Sequence, residues 1–176
     1  MENKFLQLLK EGKDDIELIK KNILSHKELI NSEIKIKHDK EELIYSPLTY
    51  CIENNFPSLS IFLIEKGADI NYKTYPNEDS PLLLACKYGL EDVIKKLISQ
   101  KNIDINCLNK KNETCYAILL QNVNIQAYKL IIDYVSRAKN KKKILKTKLS
   151  FDFPIKNKIF NEKIDRKSTR LNSSHL

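Results

Sequence analysis

The sequence contains little glycine. Only three glycines, Gly12, Gly67 and Gly89, occur in 176 residues. Loops that hold a dinucleotide or a nucleotide phosphate need two or three glycines within a few positions. Glycines this far apart exclude such a loop and argue against nucleotide-dependent chemistry.

Long apolar runs are also missing. No stretch approaches the roughly 18 consecutive apolar residues of a membrane-spanning helix. Charges occur throughout the first twenty residues, and no apolar stretch follows a basic start, so no secretory signal is recognisable. With 41% apolar and 31% charged residues, the chain can still bury a core. We expect one intracellular domain, cytoplasmic, with the nucleus as the alternative.

Cysteine and histidine are too few and too widely spaced for the common metal and catalytic motifs. The cysteines are Cys51, Cys86, Cys107 and Cys115, and the histidines are His26, His38 and His175. The cysteine spacing fits neither a zinc knuckle nor a dense disulfide framework, so we expect free thiols. A Cys–His nucleophilic pair would have to be assembled from distant segments. We therefore predict no metal, no cofactor, no small-molecule substrate and no enzymatic activity.

The net charge of +8 is concentrated towards the C-terminus. Residues 1–136 hold 18 basic and 20 acidic side chains, whereas residues 137–164 hold 10 and 2. The lysine-rich segment 137–148 allows three interpretations: a nuclear-import or nucleic-acid patch, an amphipathic membrane-surface helix, or a solvated helix or linker. We prefer the last, because lysines without interleaved aromatic residues are poorly suited to specific base recognition.

A repeat of 34 residues is present in the middle of the chain. Ser46-Pro47-Leu48 recurs as Ser80-Pro81-Leu82, and Thr114-Cys115-Tyr116 stands at the next equivalent place. Serine is a preferred helix N-cap, and proline is favoured at the first helical position. Each repeat is therefore predicted to begin a short helix at its second residue.

Apolar spacing predicts two antiparallel helices in each repeat. In the second repeat the first helix would pack through Leu82, Leu83, Ala85 and Cys86, and the second through Val93, Ile94, Leu97 and Ile98. Gly89 permits the reversal between them, and Gly67 lies where a positive φ would end the preceding unit. Such pairs bury their apolar faces only by stacking on one another.

These residues resemble the ankyrin repeat. The similarity rests on the Ser-Pro-Leu starts, on the stretch from Ala85 to Ile98, and on Gly67-Ala68-Asp69-Ile70-Asn71. It implies an all-α solenoid of stacked antiparallel helix pairs with protruding turns. Three repeats would occupy residues 45–136, starting at 46, 80 and 114, after divergent capping helices in residues 1–44.

The sequence departs from the ankyrin pattern at several positions. Thr49 and Leu83 replace a histidine that the family uses to tie turn to helix, and Cys115 replaces proline. Asn102 and Ile103 stand where Gly-Ala is usual. We expect the affected units to be less regular. Cys51 and Cys86 fall at alanine positions and are expected to pack as small buried hydrophobes.

Paired carboxylates recur in the sequence at what we take to be helix starts. The pairs are Asp14 with Asp15, Glu41 with Glu42, and Glu91 with Asp92. Acidic side chains near helix N-termini interact favourably with the helix dipole. We therefore interpret them as capping charges rather than catalytic acids and bases.

The resemblance implies a partner-binding surface made of the turn tips and the exposed face of each first helix. The candidate residues are Glu53, Asn54, Tyr72, Lys73, Tyr75, Asp79, Lys87, Tyr88, Lys110, Lys111, Glu113 and Gln121. Tyrosines flanked by lysines are suited to this role, because aromatic residues often dominate binding energy. We expect a monomeric protein-interaction module whose partner is another protein.

Two other functions stay open. The array could be the N-terminal targeting or regulatory segment of a longer enzyme, such as a kinase or ubiquitin ligase. It could also tether the protein to nucleic acid or membrane through residues 137–148, which we regard as the less favoured reading. Residues 137–164 are otherwise a basic continuation or linker.

The C-terminal tail has a different character. Residues 165–175 resemble the conceptual translation of a widely used sequencing adapter, and two of the three arginines, Arg166 and Arg170, appear there. We therefore expect residues 165–176 to be non-native and exclude them from arguments about fold and charge.

Overall fold

Helices follow one another in pairs along most of the chain. The computed structural model describes residues 3–12, 15–38 and 41–140. The helices are α1 (Lys4–Glu11), α2 (Ile16–Ser25), a 3-10 helix (Lys27–Asn31), α3 (Pro47–Glu53), α4 (Pro57–Glu65), α5 (Pro81–Tyr88), α6 (Glu91–Ile98), α7 (Cys115–Gln121) and α8 (Ile125–Asn140). Two strands, β1 (Ile34–His38) and β2 (Glu41–Tyr45), separate the 3-10 helix from α3. The prediction of a mostly helical ankyrin-type fold is confirmed.

The predicted N-caps are present at all three repeat starts. Ser46 accepts a hydrogen bond from the Thr49 N–H at 3.2 Å, and the Ser46 N–H donates to Thr49 Oγ1 at 2.9 Å. Ser80 and Thr114 cap α5 and α7 by accepting from the Leu83 and Ala117 N–H groups, without the reciprocal bond. Thr49 therefore replaces the family histidine with a reciprocal capping box, which satisfies two backbone donors at the start of α3.

Stacking of like helices forms the core. Helix α5 contacts α3 on one side and α7 on the other, and it also packs on its partner α6. All six residues from Pro81 to Cys86 are consequently buried, including Leu84, which the predicted stripe omitted. Helix α6 contacts α4 and buries the four residues of its predicted stripe.

A ladder of asparagine side chains connects the turns that end successive units. Asn31 accepts from the Asp69 N–H at 2.8 Å and donates to the Gly67 carbonyl at 3.3 Å. Asn71 repeats the pattern one unit later, since it accepts from Asp104 N–H at 2.9 Å and donates to the Asn102 carbonyl at 2.8 Å. These bonds hold the second turn in place even though the usual Gly-Ala is missing.

A β-hairpin in the N-terminal region departs from the prediction of capping helices. Strands β1 and β2 pair antiparallel, with Ile34 opposite Tyr45 and Lys37 opposite Glu42. The alternation of isoleucine and lysine from residue 34 to 37 has the two-residue period of a strand and explains the difference. Helices α1 and α2 are present as expected.

The interpretation of the acidic pairs as helix caps is wrong for one of them. Glu41 and Glu42 lie in β2, where they belong to the hairpin and not to a helix start. Asp15 does cap α2 by accepting from the Leu18 N–H at 3.0 Å, and Glu91 and Asp92 lie in the first turn of α6.

The hairpin extends into a series of linked turns. Ile44 and Tyr75 exchange two backbone hydrogen bonds, with N···O distances of 3.1 and 3.0 Å. The Lys110 N–H donates to the Asn77 carbonyl at 2.9 Å in the following turn. Neighbouring turns are thus fixed to one another by main-chain contacts, which positions the side chains between them.

Helices α1 to α7 and the hairpin lie within the compact unit Met1–Tyr134. Helix α8 continues to Asn140, so residues 137–140 of the basic segment are helical. The rest of that segment and the tail 165–176 lie outside the described residues.

Candidate partner-binding surface

A polar cavity of about 240 Å³ lies between the turns and the C-terminal parts of α5 and α7. We call it the polar cavity, and its lining residues are Asn77, Asp79, Lys87, Asn109, Lys111, Glu113, Ile118, Gln121 and Asn122. Five of the twelve candidate residues are brought together here: Asp79, Lys87, Lys111, Glu113 and Gln121.

The structure corrects the expectation that Asp79 is exposed at a turn tip, since only 5% of its surface is accessible. Its carboxylate accepts a hydrogen bond from Asn109 Nδ2 at 2.9 Å. Its N–H donates to Thr74 Oγ1 at 3.1 Å. Asp79 therefore joins two turns at the base of the polar cavity.

Glu113 is held at the rim of the cavity by two amide side chains. Asn109 donates to Oε2 at 2.9 Å, and Gln121 donates to Oε1 at 3.5 Å. The hydrogen bond from Asn109 is the main reason why the pKa of the Glu113 carboxyl lies below its usual range, and Lys111 and Lys87 lower it further. Glu113 therefore presents an ionised carboxylate beside two ammonium groups.

Lys87 and Tyr88 connect the polar cavity to a second group of residues on α3. The Lys87 ammonium lies 5.6 Å from the centre of the Tyr88 ring, within the range of a cation–π interaction. The Tyr88 hydroxyl donates to Glu53 Oε1 at 3.3 Å. Burial, followed by the Glu53 charge, raises the pKa of Tyr88, which keeps this hydroxyl protonated as a donor.

Sequence reasoning missed two tyrosines that complete this second group. Tyr45 and Tyr50 meet edge to face, with ring centres 5.9 Å apart. Burial is the main reason why the pKa of Tyr45 is raised, and the neighbouring Glu53 carboxylate raises it further. The three-residue spacing of Tyr50 and Glu53 on one helix was an available signal. We call Tyr45, Tyr50, Glu53 and Tyr88 the tyrosine cluster.

Two further candidate residues lie elsewhere in the turns. Tyr72 is half-buried, and its pKa is raised by burial and by the charges of Glu33 and Asp69. Lys73 extends along the neighbouring turn and donates to the Leu108 carbonyl at 3.0 Å. Neither lines the polar cavity, and the bonded Lys73 ammonium stabilises the contact between turns.

The remaining candidates are exposed but stand apart from the polar cavity. Tyr75 has 55% of its surface accessible, although its backbone is hydrogen-bonded to Ile44. Asn54 donates to the Tyr50 carbonyl at 2.9 Å at the end of α3. Lys110 is exposed at the next turn.

The four thiols are buried and free. Burial raises the pKa of each, to about 12 for Cys115. A protonated thiol is a poor nucleophile. The prediction that Cys51 and Cys86 pack as small hydrophobes is confirmed, because neither has any accessible surface.

Within the described residues, no cluster of three or more histidine, cysteine or acidic side chains has a metal-binding arrangement. None of the helices described combines the length and the apolar character needed to cross a membrane.

Comparison with known proteins agrees with this architecture. The family model for the ankyrin repeat matches residues 77–110, which contain α5, α6 and part of the polar cavity lining. The chain is similar to Alpha-latrocrustotoxin-Lt1a of Latrodectus tredecimguttatus, with 36% identity over 87 residues. It is also similar to the human Transient receptor potential cation channel subfamily A member 1, with 25% identity over 102 residues.

These matches cover 49% and 58% of the chain but only 6% and 9% of the two relatives. Similarity to such relatives therefore concerns the repeats and not the whole of either protein. The family match identifies an ankyrin repeat at residues 77–110, and the capped helix pairs, the stacked core and the linked turns give the described part of the chain an ankyrin-type helical fold.

Proposed function

We propose that the chain binds another protein through the polar cavity and the adjoining tyrosine cluster. The observation that carries the proposal is the continuity of the two groups, since Lys87 faces the cavity and contacts Tyr88, and Tyr88 bonds to Glu53. Together they offer aromatic area, ammonium donors and carboxylate acceptors on a rigid support. Such a mixture is typical of the centre and rim of protein interfaces.

A binding role without catalysis fits the chemistry of this surface. Ankyrin repeats generally act as protein-interaction modules, and the family is typically not enzymatic. The thiols of Cys86 and Cys115, which belong to the two helices beside the cavity, are buried, and burial raises their pKa values. Glu53 and Glu113 are engaged by hydroxyl and amide donors, which suits recognition better than proton transfer.

The proposal also includes the cellular compartment and the oligomeric state of the protein. Four free buried thiols suit a reducing compartment, so we place it in the cytoplasm, with the nucleus as the alternative. We propose that it acts as a monomer. The lysine-rich segment 137–148 is assigned no part in partner binding.

The test is affinity capture with the full chain from lysate of the source organism, quantified by mass spectrometry. The double variant Lys87→Glu and Gln121→Ala changes two exposed side chains at the cavity. Its matched control, Lys101→Glu and Gln126→Ala, makes the same changes at exposed positions that do not line the cavity.

We expect the cavity variant to recover its main partner at least about fivefold less well than wild type, as for residues that contribute to a binding centre. The control should recover it normally. Equal recovery by both variants would place the interaction on another surface.

A further inference from the structure

One buried asparagine connects the two acidic residues of the polar cavity. Asn109 has only 7% of its surface accessible. Its Oδ1 accepts hydrogen bonds from the Lys111 and Glu113 N–H groups at 3.0 and 2.9 Å. Backbone N–H groups can only donate, so these two bonds fix which side of the side-chain amide carries the oxygen. The nitrogen of that amide must therefore point away from the backbone of its own turn.

The amide nitrogen of Asn109 holds one carboxylate from each of two repeats. Nδ2 donates at 2.9 Å to Asp79 Oδ1 and at 2.9 Å to Glu113 Oε2, so these two oxygens can be no farther apart than twice that distance. Neither carboxylate forms an ion pair with a lysine or arginine among the residues that the structure describes. Since like charges this close repel, a donor shared by both oxygens stabilises their charged forms.

The preceding repeat shows that this donor is not needed to form the turn. Thr74 occupies the corresponding position there, and its Oγ1 accepts from the Asp79 N–H at 3.1 Å. This bond matches the one from the Glu113 N–H to Asn109 Oδ1. An acceptor oxygen alone therefore closes the turn. The two hydrogens of the Asn109 amide are additional to it, and both are donated to residues that line the polar cavity.

We infer that Asn109 is a positioning residue for partner binding, which fixes Asp79 and Glu113 as a pair of hydrogen-bond acceptors for a donor group of the partner. This role rests on the proposed function of the polar cavity. An ionised carboxylate can only accept hydrogen bonds, so the partner group that meets this pair is a donor. Asp79 Oδ2 is available to it, because no described residue donates to this oxygen and it is not sealed from solvent.

The test repeats the capture experiment with Asn109→Asp, and measures recovery of the partner that wild type enriches most. The substitution keeps both acceptor bonds of the turn, but it removes the donor and adds a negative charge beside Glu113. We expect recovery to fall at least about fivefold, and the NMR titration midpoint of Glu113 to rise. The matched control, Asn102→Asp, makes the same change at an exposed asparagine that does not line the cavity, and should leave both values unchanged.

Two double variants separate positioning from a purely structural role. If Asn109 acts through Glu113, then Asn109→Asp combined with Glu113→Gln should recover the partner no worse than the weaker of the two single variants. Asp79→Asn combined with Asn109→Asp exchanges amide and acid, which restores the hydrogen bond between the two turns but not the one to Glu113. This exchange variant should regain the thermal stability lost in Asn109→Asp, whereas the Glu113 midpoint should stay raised and recovery should stay low.

Normal recovery by Asn109→Asp, an unchanged Glu113 midpoint, or recovery restored by the exchange variant would overturn the positioning role. If Lys87→Glu with Gln121→Ala loses the partner in the same experiment, the proposed function stands without that role. If this cavity variant also recovers the partner normally, or if wild type enriches none, both fail. Asn109→Thr copies the residue of the preceding turn and removes the donor without adding charge, so it decides the question if Asn109→Asp does not fold.

Discussion

Helices α6 and α2 carry similar apolar patterns but differ in what covers them. Helix α6 packs on α4 and α5 and buries its whole stripe. On α2 only Ile19 and Ile23 are buried, and Ile16, Leu18 and Leu24 each keep more than 40% of their surface accessible. An apolar stripe in a repeat array therefore becomes core only where a neighbouring unit covers it.

Two cavities, one in the N-terminal region and one in the centre of the array, show the same contrast. An apolar cavity of about 420 Å³ remains among α1, α2 and the start of α4, with Ile16 and Phe56 in its lining. The cavity beside α5 and α7 is instead lined by amide and charged side chains. Packing is more complete in the centre of the array, and the polar residues there are held in fixed positions.

The largest expected effect is on core stability. Leu97→Ala removes a side chain with no accessible surface from α6 and should lower the free energy of unfolding by about 2 to 5 kcal/mol. Leu18→Ala, at a position 41% exposed on α2, should cost less than about 1 kcal/mol. Urea denaturation of both variants measures the difference. Equal losses would contradict the contrast between the two helices.

An intermediate effect is expected in the asparagine ladder. Asn71→Ala removes two hydrogen bonds between turns and should cost about 1 to 2 kcal/mol. Asn106 occupies the corresponding place in the next turn and is exposed, so Asn106→Ala should cost under about 0.5 kcal/mol. Thermal unfolding of both variants checks this, and a loss for Asn71→Ala no larger than that for Asn106→Ala would show that the ladder does not stabilise the array.

The smallest effect concerns the protonation of Glu113. Because its pKa is lowered in the folded chain, ionised Glu113 stabilises the fold above the pKa of the unfolded state. This contribution is lost as the pH falls through the folded pKa. NMR titration should give a midpoint below that of an ordinary glutamate, and Asn109→Ala should raise it. A midpoint unaffected by Asn109→Ala would exclude the hydrogen bond as the main cause.

Local signals in the sequence were sufficient to predict the central helices. Ser46, Ser80 and Thr114 cap helices where the repeat places them, since N-cap chemistry depends on a few adjacent residues. The α6 stripe was equally clear, because its spacing follows the helical period.

Features that depend on residues far apart in the chain could not be predicted from local sequence signals. Asp79 is buried because Asn109 bonds to it from the next turn, 30 residues along the chain. Tyr45 joins the site because its ring, at the end of β2, meets the Tyr50 ring edge to face. The hairpin did have a local signal in Ile34 and Ile36, but a run this short predicts a strand only weakly.

The most direct test of the interaction surface is hydrogen exchange of the full chain with and without its captured partner. We expect slower exchange in peptides that cover residues 45–53, 87–88 and 111–122, which contain the tyrosine cluster and one wall of the polar cavity. Helices α4 and α6 should exchange at unchanged rates. Protection confined to α4 and α6, with no change in the three predicted segments, would contradict this expectation.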